Sequence, residues 1–167
     1  MSKIIYRGIE VDISGELPAV GQKAPDFRLT KTDMNDVHLS DFSGKRIVLN
    51  IFPSIDTGVC AASVRKFNQL ASELENTVVI CISKDLPYAF IRFCGAEGIE
   101  NVVCASQYKD DSFSKRYGVD LLGGRLEGLM SRALIVADEQ GEIIFSQLVS
   151  DIGHEPDYDG AIAALRQ

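Results

Sequence analysis

Pro53-Ser54-Ile55-Asp56-Thr57-Gly58-Val59-Cys60 follows the apolar run Ile47-Val48-Leu49-Asn50-Ile51-Phe52 and leads into a helical pattern. A strand that stops at a proline and hands over to a helix is a βα step, and here it places a cysteine in the first helical turn. At that position the unpaired backbone N–H groups and the positive end of the macrodipole favour the thiolate over the thiol, and the thiolate is the nucleophile. Val64, Phe67, Leu70, Ala71 and Leu74 recur at three- and four-residue steps with Arg65, Lys66, Gln69 and Glu73 between them, which predicts the helix and sets Cys60 on its protein-facing side. Pro53 fixes the backbone where the strand stops. Thr57 is the expected N-cap, with a hydroxyl in reach of the sulfur. A cysteine that merely fills a core needs neither.

Outward from this point the remaining elements can be read in order. Ile4 to Tyr6 and Ile9 to Ile13 flank Arg7-Gly8, and Ile9, Val11 and Ile13 alternate with Glu10 and Asp12, which predicts a small N-terminal hairpin. A turn-rich stretch from Gly15 to Asp26 precedes the first central strand at 47–52. After the cysteine-bearing helix, Thr77 to Ser83 reads as a second central strand, parallel to the first because a helix crosses between them. A helix starts near Pro87, carries Tyr88, Phe90, Ile91 and Cys94, and ends around Gly95 or Gly98. A short strand at 101–105 and a helix at 112–117, stopped by Gly118, follow. A hairpin of 132–137 and 142–148 around Asp138-Glu-Gln-Gly141 and a last helix near 158–166 complete the pattern. This order predicts a thioredoxin-like α/β fold, a central mixed sheet with helices on both faces.

Composition bounds the function. The 167 residues, 46% of them apolar, can bury one sizeable core and predict a single domain, 1–167. The formal charge of −7 disfavours nucleic acid or an anionic membrane as the main partner, since both want a basic face. No secretory h-region or twenty-residue apolar span is present, so the expected compartment is the cytoplasm. The four cysteines, Cys60, Cys81, Cys94 and Cys104, form no C-x-x-C pair, so neither a metal nor a cofactor is expected. His38 and His154 read as surface residues. Cys81 and Cys104 lie in apolar strands and read as inert packing. Cys94 stands late in a helix that runs into Gly95-Ala96-Glu97-Gly98, whose glycines ease unwinding; packing beside Phe90 and Ile91 explains it equally well. Arg132, taken alone, is an ordinary charged strand end.

Val20-Gly21-Gln22-Lys23-Ala24-Pro25-Asp26-Phe27, then Leu39-Ser40-Asp41-Phe42-Ser43-Gly44-Lys45, then Phe52-Pro53 through Asp56-Thr57-Gly58-Val59-Cys60 resemble the successive signatures of the peroxiredoxins. The hairpin, Cys60 through Asn68, Arg92-Phe93-Cys94-Gly95-Ala96-Glu97-Gly98 and Ser131-Arg132-Ala133 narrow the resemblance to the bacterial thiol peroxidases, atypical two-cysteine peroxiredoxins. It spans essentially the whole chain, and only Cys104 has no family role. The resemblance implies that Cys60 is the peroxidatic cysteine, Thr57 its hydroxyl partner, Pro53 the shield of the pocket, Arg132 the charge beside the sulfur and Cys94 the resolving cysteine. It further implies hydrogen peroxide and alkyl or lipid hydroperoxides as substrates, thioredoxin as reductant and a homodimer. A general dithiol oxidoreductase on this fold would want a cysteine at position 57. A redox sensor that passes its oxidation to a partner protein would keep every residue named, and turnover separates it from an enzyme.

Overall fold

The computed structural model describes residues 2–167. Nine strands and four α-helices are described: β1 (Lys3–Tyr6), β2 (Ile9–Asp12), β3 (Arg28–Lys31), β4 (Asp36–His38), β5 (Arg46–Ile51), α1 (Gly58–Ala71), β6 (Thr77–Ser83), α2 (Pro87–Glu97), β7 (Val103–Ser106), α3 (Ser112–Tyr117), β8 (Ala133–Ala137), β9 (Ile143–Leu148) and α4 (Tyr158–Leu165). β1 and β2 form the N-terminal hairpin, and the other seven form one sheet in the order β4-β3-β7-β6-β5-β8-β9. β5, β6 and β7 are mutually parallel, while β8 and β9 add antiparallel at one side and β3 and β4 at the other. The predicted elements are present within one or two residues of their expected bounds. β3 and β4 are additions to the predicted set, because Arg28-Leu29-Thr30-Lys31 and Asp36-Val37-His38 are too short and too polar to carry a visible alternation.

The period-two alternation of the strands sorts the core into two layers. Ile47, Leu49 and Ile51 of β5, with Ile80 and Ile82 of β6 and Ile135 of β8, pack with Phe113 and Tyr117 of α3. On the opposite face Val48, Val79, Cys81, Cys104, Leu134 and Val136 pack with Phe67 of α1, Phe90 of α2 and Leu165 of α4. Burying one such aromatic or aliphatic side chain contributes about 1.5–3 kcal/mol, so both faces must be covered for the sheet to persist. All four cysteines belong to the second layer, Cys60 and Cys94 from its helices and Cys81 and Cys104 from the strands beneath.

The hairpin joins the body at one seam. Ile5 N–H donates to the Ser150 carbonyl at 2.7 Å, and Ile152 N–H donates back to the Ile5 carbonyl at 2.9 Å. Ile4, Val11, Ile13, Leu121 and Ile152 close a third, small core beneath it.

Candidate active site

β5 delivers the chain to the site. Beyond Ile51, Phe52 and Pro53 are buried, and the loop that follows is gripped by Asp85, which lies just past β6. The Asp85 carboxylate accepts from Ser54 Oγ at 2.9 Å and from Ile55 N–H at 2.8 Å, and also from Ser83 Oγ. Arg92 of α2 adds an ion pair to Asp56 at 2.5 Å. The first turn of α1 is therefore held from two directions before it starts.

Thr57 is the N-cap by backbone conformation, φ −98° and ψ 150°, but its side chain caps nothing. Thr57 Oγ1 donates to the Ser54 carbonyl at 3.0 Å, in place of a bond to Cys60 Sγ in this state. Ala61 N–H takes the first carbonyl, that of Thr57, at 2.9 Å. The N–H groups of Gly58, Val59 and Cys60 thus precede the first intrahelical bond and are left for an anion at the helix start. Cys60 itself is fully buried. Its carbonyl accepts from Ser63 Oγ at 2.7 Å, and Asn50 Nδ2 of β5 donates to that same hydroxyl at 3.1 Å. A buried polar pair so ties the cysteine-bearing turn to the sheet.

Arg132 meets the sulfur because it stands two residues before Leu134, on the helix-facing side of β8's alternation. Its residue exposure is 2%. Nη2 donates to Cys60 Sγ at 3.3 Å, Nε donates to the Ile152 carbonyl at 3.0 Å, and Nη1 has no partner among the described residues. No carboxylate stands among its hydrogen-bond partners. A guanidinium buried in this way is costly unless an anion balances it, and a thiolate at Cys60 is the group positioned to do so. The spare Nη1 donor is then available to an oxygen beside the sulfur.

Over this floor lies a cavity of 530 Å³, bounded by Pro53, Thr57, Gly58, Val59 and Arg132 on the helix side and by Leu126, Leu129 and Ile152 on the other. Tyr6 and Arg7 of the hairpin and Asp151 and His154 complete its rim. Sequence reasoning did not select these rim residues, nor Asn50 and Ser63, because they come from loops and positions far apart in the chain with no shared spacing. His154 is a surface residue, as expected, yet it lines this opening; His38 is a surface residue that does not line the cavity.

Cys94 is half-buried on α2 and not bonded to Cys60. Its sulfur lies 3.5 Å from that of Cys104, which is 4% exposed on β7. The Cys104 sulfur and burial hold the Cys94 thiol far above the usual range. Cys81 is fully buried on β6, in register with Cys104. The structure therefore brings Cys60, Arg132, Thr57 and Pro53 together and leaves Cys94 in a separate sulfur contact.

A mixed thioredoxin-like sheet that presents a cysteine at a helix start, with an arginine on its sulfur and an open cavity above, defines a thiol-based peroxidase. The redoxin family profile matches residues 19–162. A thiol peroxidase of Corynebacterium glutamicum is 53% identical over 99% of this chain and 99% of its own length. The crystal structure of a peroxiredoxin-like protein from Aquifex aeolicus superposes with a TM-score of 0.93 at 31% identity, covering 98% of this chain and 95% of that one. A thiol peroxidase from Chromobacterium violaceum shares the fold with a TM-score of 0.90 at 23% identity, over 98% and 95% of the two chains. The chain belongs to the redoxin family, among the thiol peroxidases, which are peroxiredoxin-type oxidoreductases.

Proposed function

We propose that the chain reduces hydrogen peroxide and alkyl or lipid hydroperoxides through Cys60, resolves the product with Cys94 and is recycled by thioredoxin, in the cytoplasm and as a homodimer, as part of antioxidant defence. The observation that carries this reading is the Arg132 guanidinium, with one donor on Cys60 Sγ at 3.3 Å and another unpartnered. The Cys60 thiolate attacks the nearer peroxide oxygen in line. The O–O bond breaks, and the departing oxygen leaves as water or alcohol after taking up a proton. Donors aimed at charge that develops in the transition state accelerate this step, and the helix N–H groups and Arg132 are such donors. Apolar walls at Leu126, Leu129 and Ile152 suit the alkyl part of an organic hydroperoxide.

The sulfenic acid left on Cys60 condenses with the Cys94 thiol, releasing water and forming a disulfide. In folded α2 the contact with Cys104 disfavours the Cys94 thiolate. Unwinding at the Gly98 end of α2 relieves that contact and frees Cys94 to approach Cys60. The exposed disulfide then exchanges with a dithiol reductant, which carries the two electrons in.

The test is a peroxidase assay coupled to thioredoxin, thioredoxin reductase and NADPH. The expected result is many equivalents of peroxide consumed per chain, with sustained turnover lost in Cys94→Ser. Consumption that stops at about one equivalent, with thioredoxin present, overturns the enzyme and favours a sensor.

A further inference from the structure

Cys104, which has no part in the cycle above, touches the sulfur of the resolving cysteine, Cys94. The contact with Cys94 is 3.5 Å between sulfurs, about van der Waals distance, against the 2.05 Å or so of a bonded pair. A Cys94–Cys104 bond therefore leaves α2 folded. A Cys60–Cys94 bond asks Cys94 to leave that contact, since Cys60 lies against Arg132 at the head of β8 while Cys104 lies on β7, with β6 and β5 between the two strands. Once the first disulfide has formed, refolding of the α2 end pulls Cys94 back toward Cys104.

We propose that Cys104 is a second acceptor of the disulfide, which moves from Cys60–Cys94 to Cys94–Cys104 when external reductant is scarce. This rests on the peroxidase reading above. The Cys104 sulfur attacks Cys94 Sγ, the Cys94–Cys104 bond forms, the Cys60–Cys94 bond breaks, and Cys60 leaves as a thiolate while the Cys104 proton passes to solvent. Two thiols remain oxidised throughout, so no further oxidant or reductant enters. The Cys81 sulfur and burial favour the Cys104 thiol in both the reduced and the oxidised chain, so Cys104 stays out of the peroxide step and the transfer runs slowly, through its minor thiolate. The outcome is a chain that stores the two-electron oxidation from one peroxide in a buried bridge and presents Cys60 to peroxide again.

The experiment is a time course on the wild-type chain after one equivalent of hydrogen peroxide without reductant, quenched by alkylation. It is read by non-reducing peptide mapping with trypsin and a glutamate-specific protease together, since Lys84 and Arg92 separate Cys81 from Cys94, and Glu97 and Glu100 separate Cys94 from Cys104. The expected record is a Cys60–Cys94 bridge that rises first and then gives way to Cys94–Cys104, with Cys60 recovered as an alkylatable thiol. In Cys104→Ala the first bridge persists and Cys60 is not recovered. A Cys60–Cys94 bridge that remains the sole disulfide in wild type for as long as in Cys104→Ala overturns the transfer and leaves the peroxidase reading standing. Absence of any Cys60–Cys94 bridge at early times overturns both.

Discussion

Cys60 and Arg132 divide the work of the site, and their side chains separate legible from illegible features. Position 60 could be read because a helix start is a local event, encoded in Pro53 to Cys60. Arg132 could be placed only through resemblance, since its approach to sulfur depends on β5 and β8 being neighbours, a long-range fact. Asn50, buried within an apolar run, gave no signal that its amide reaches Ser63. The Cys60→Ser chain is expected to fold and to lose peroxide reduction altogether, measured by stopped-flow consumption of hydrogen peroxide; turnover near wild type contradicts the assignment. Arg132→Met removes the donor on the sulfur and the spare one beside it, and a lost transition-state donor costs about 100-fold or more in rate. A second-order rate constant with peroxide within twofold of wild type would leave Arg132 with a structural role only.

At the scale of elements, the end of α2 is the part the cycle asks to move. Gly98 closes α2 in the left-handed conformation, φ 65°, and a Cβ added there meets nothing within 4 Å. The cost of Gly98→Ala is therefore backbone strain alone, about 1 kcal/mol, or roughly 2–4 °C in Tm, and amide protection over residues 94–99 falls with it. The same end is pinned to α1 by Arg65 and Glu97 at 2.7 Å. The Arg65 guanidinium, chiefly through that hydrogen bond, lowers the Glu97 pKa. A lowered carboxylate stabilises above its unfolded pKa, and the gain is lost as pH falls through the folded value, which lies below the ordinary 4.3 or so. Arg65→Met should thus reduce hydrogen-exchange protection of this segment at pH 7, and the gap from wild type should close as the pH falls below the ordinary carboxylate range. A gap independent of pH would mean that Arg65 acts only through its packing over Phe93. Caps and glycines at such ends were legible, whereas the pairing of α1 with α2 through Arg65 and Glu97 has no sequence signature.

For the whole molecule, the alternation in β5, β6 and β8 was enough to predict a two-faced sheet, and the βα order its parallel centre. Missing from that reading were the short polar strands β3 and β4 at one side of the sheet and the task of the hairpin. β1 grips the 150–152 segment, and Ile152 in turn offers its carbonyl to Arg132, so a hairpin at the N-terminus braces the arginine from the far side of the site. Ile5→Pro removes the N–H that bonds Ser150, a loss of about 1–3 kcal/mol. It should lower both Tm and the rate with peroxide; a lowered Tm with an unchanged rate would separate the hairpin from the site. The account stands on Cys60 being where peroxide oxygen arrives, and the direct measurement is trapping of that product. Cys94→Ser, treated with one equivalent of hydrogen peroxide in the presence of dimedone and mapped by mass spectrometry, should carry a single adduct, on Cys60. An adduct on Cys81 or Cys104, or none on Cys60, would contradict it.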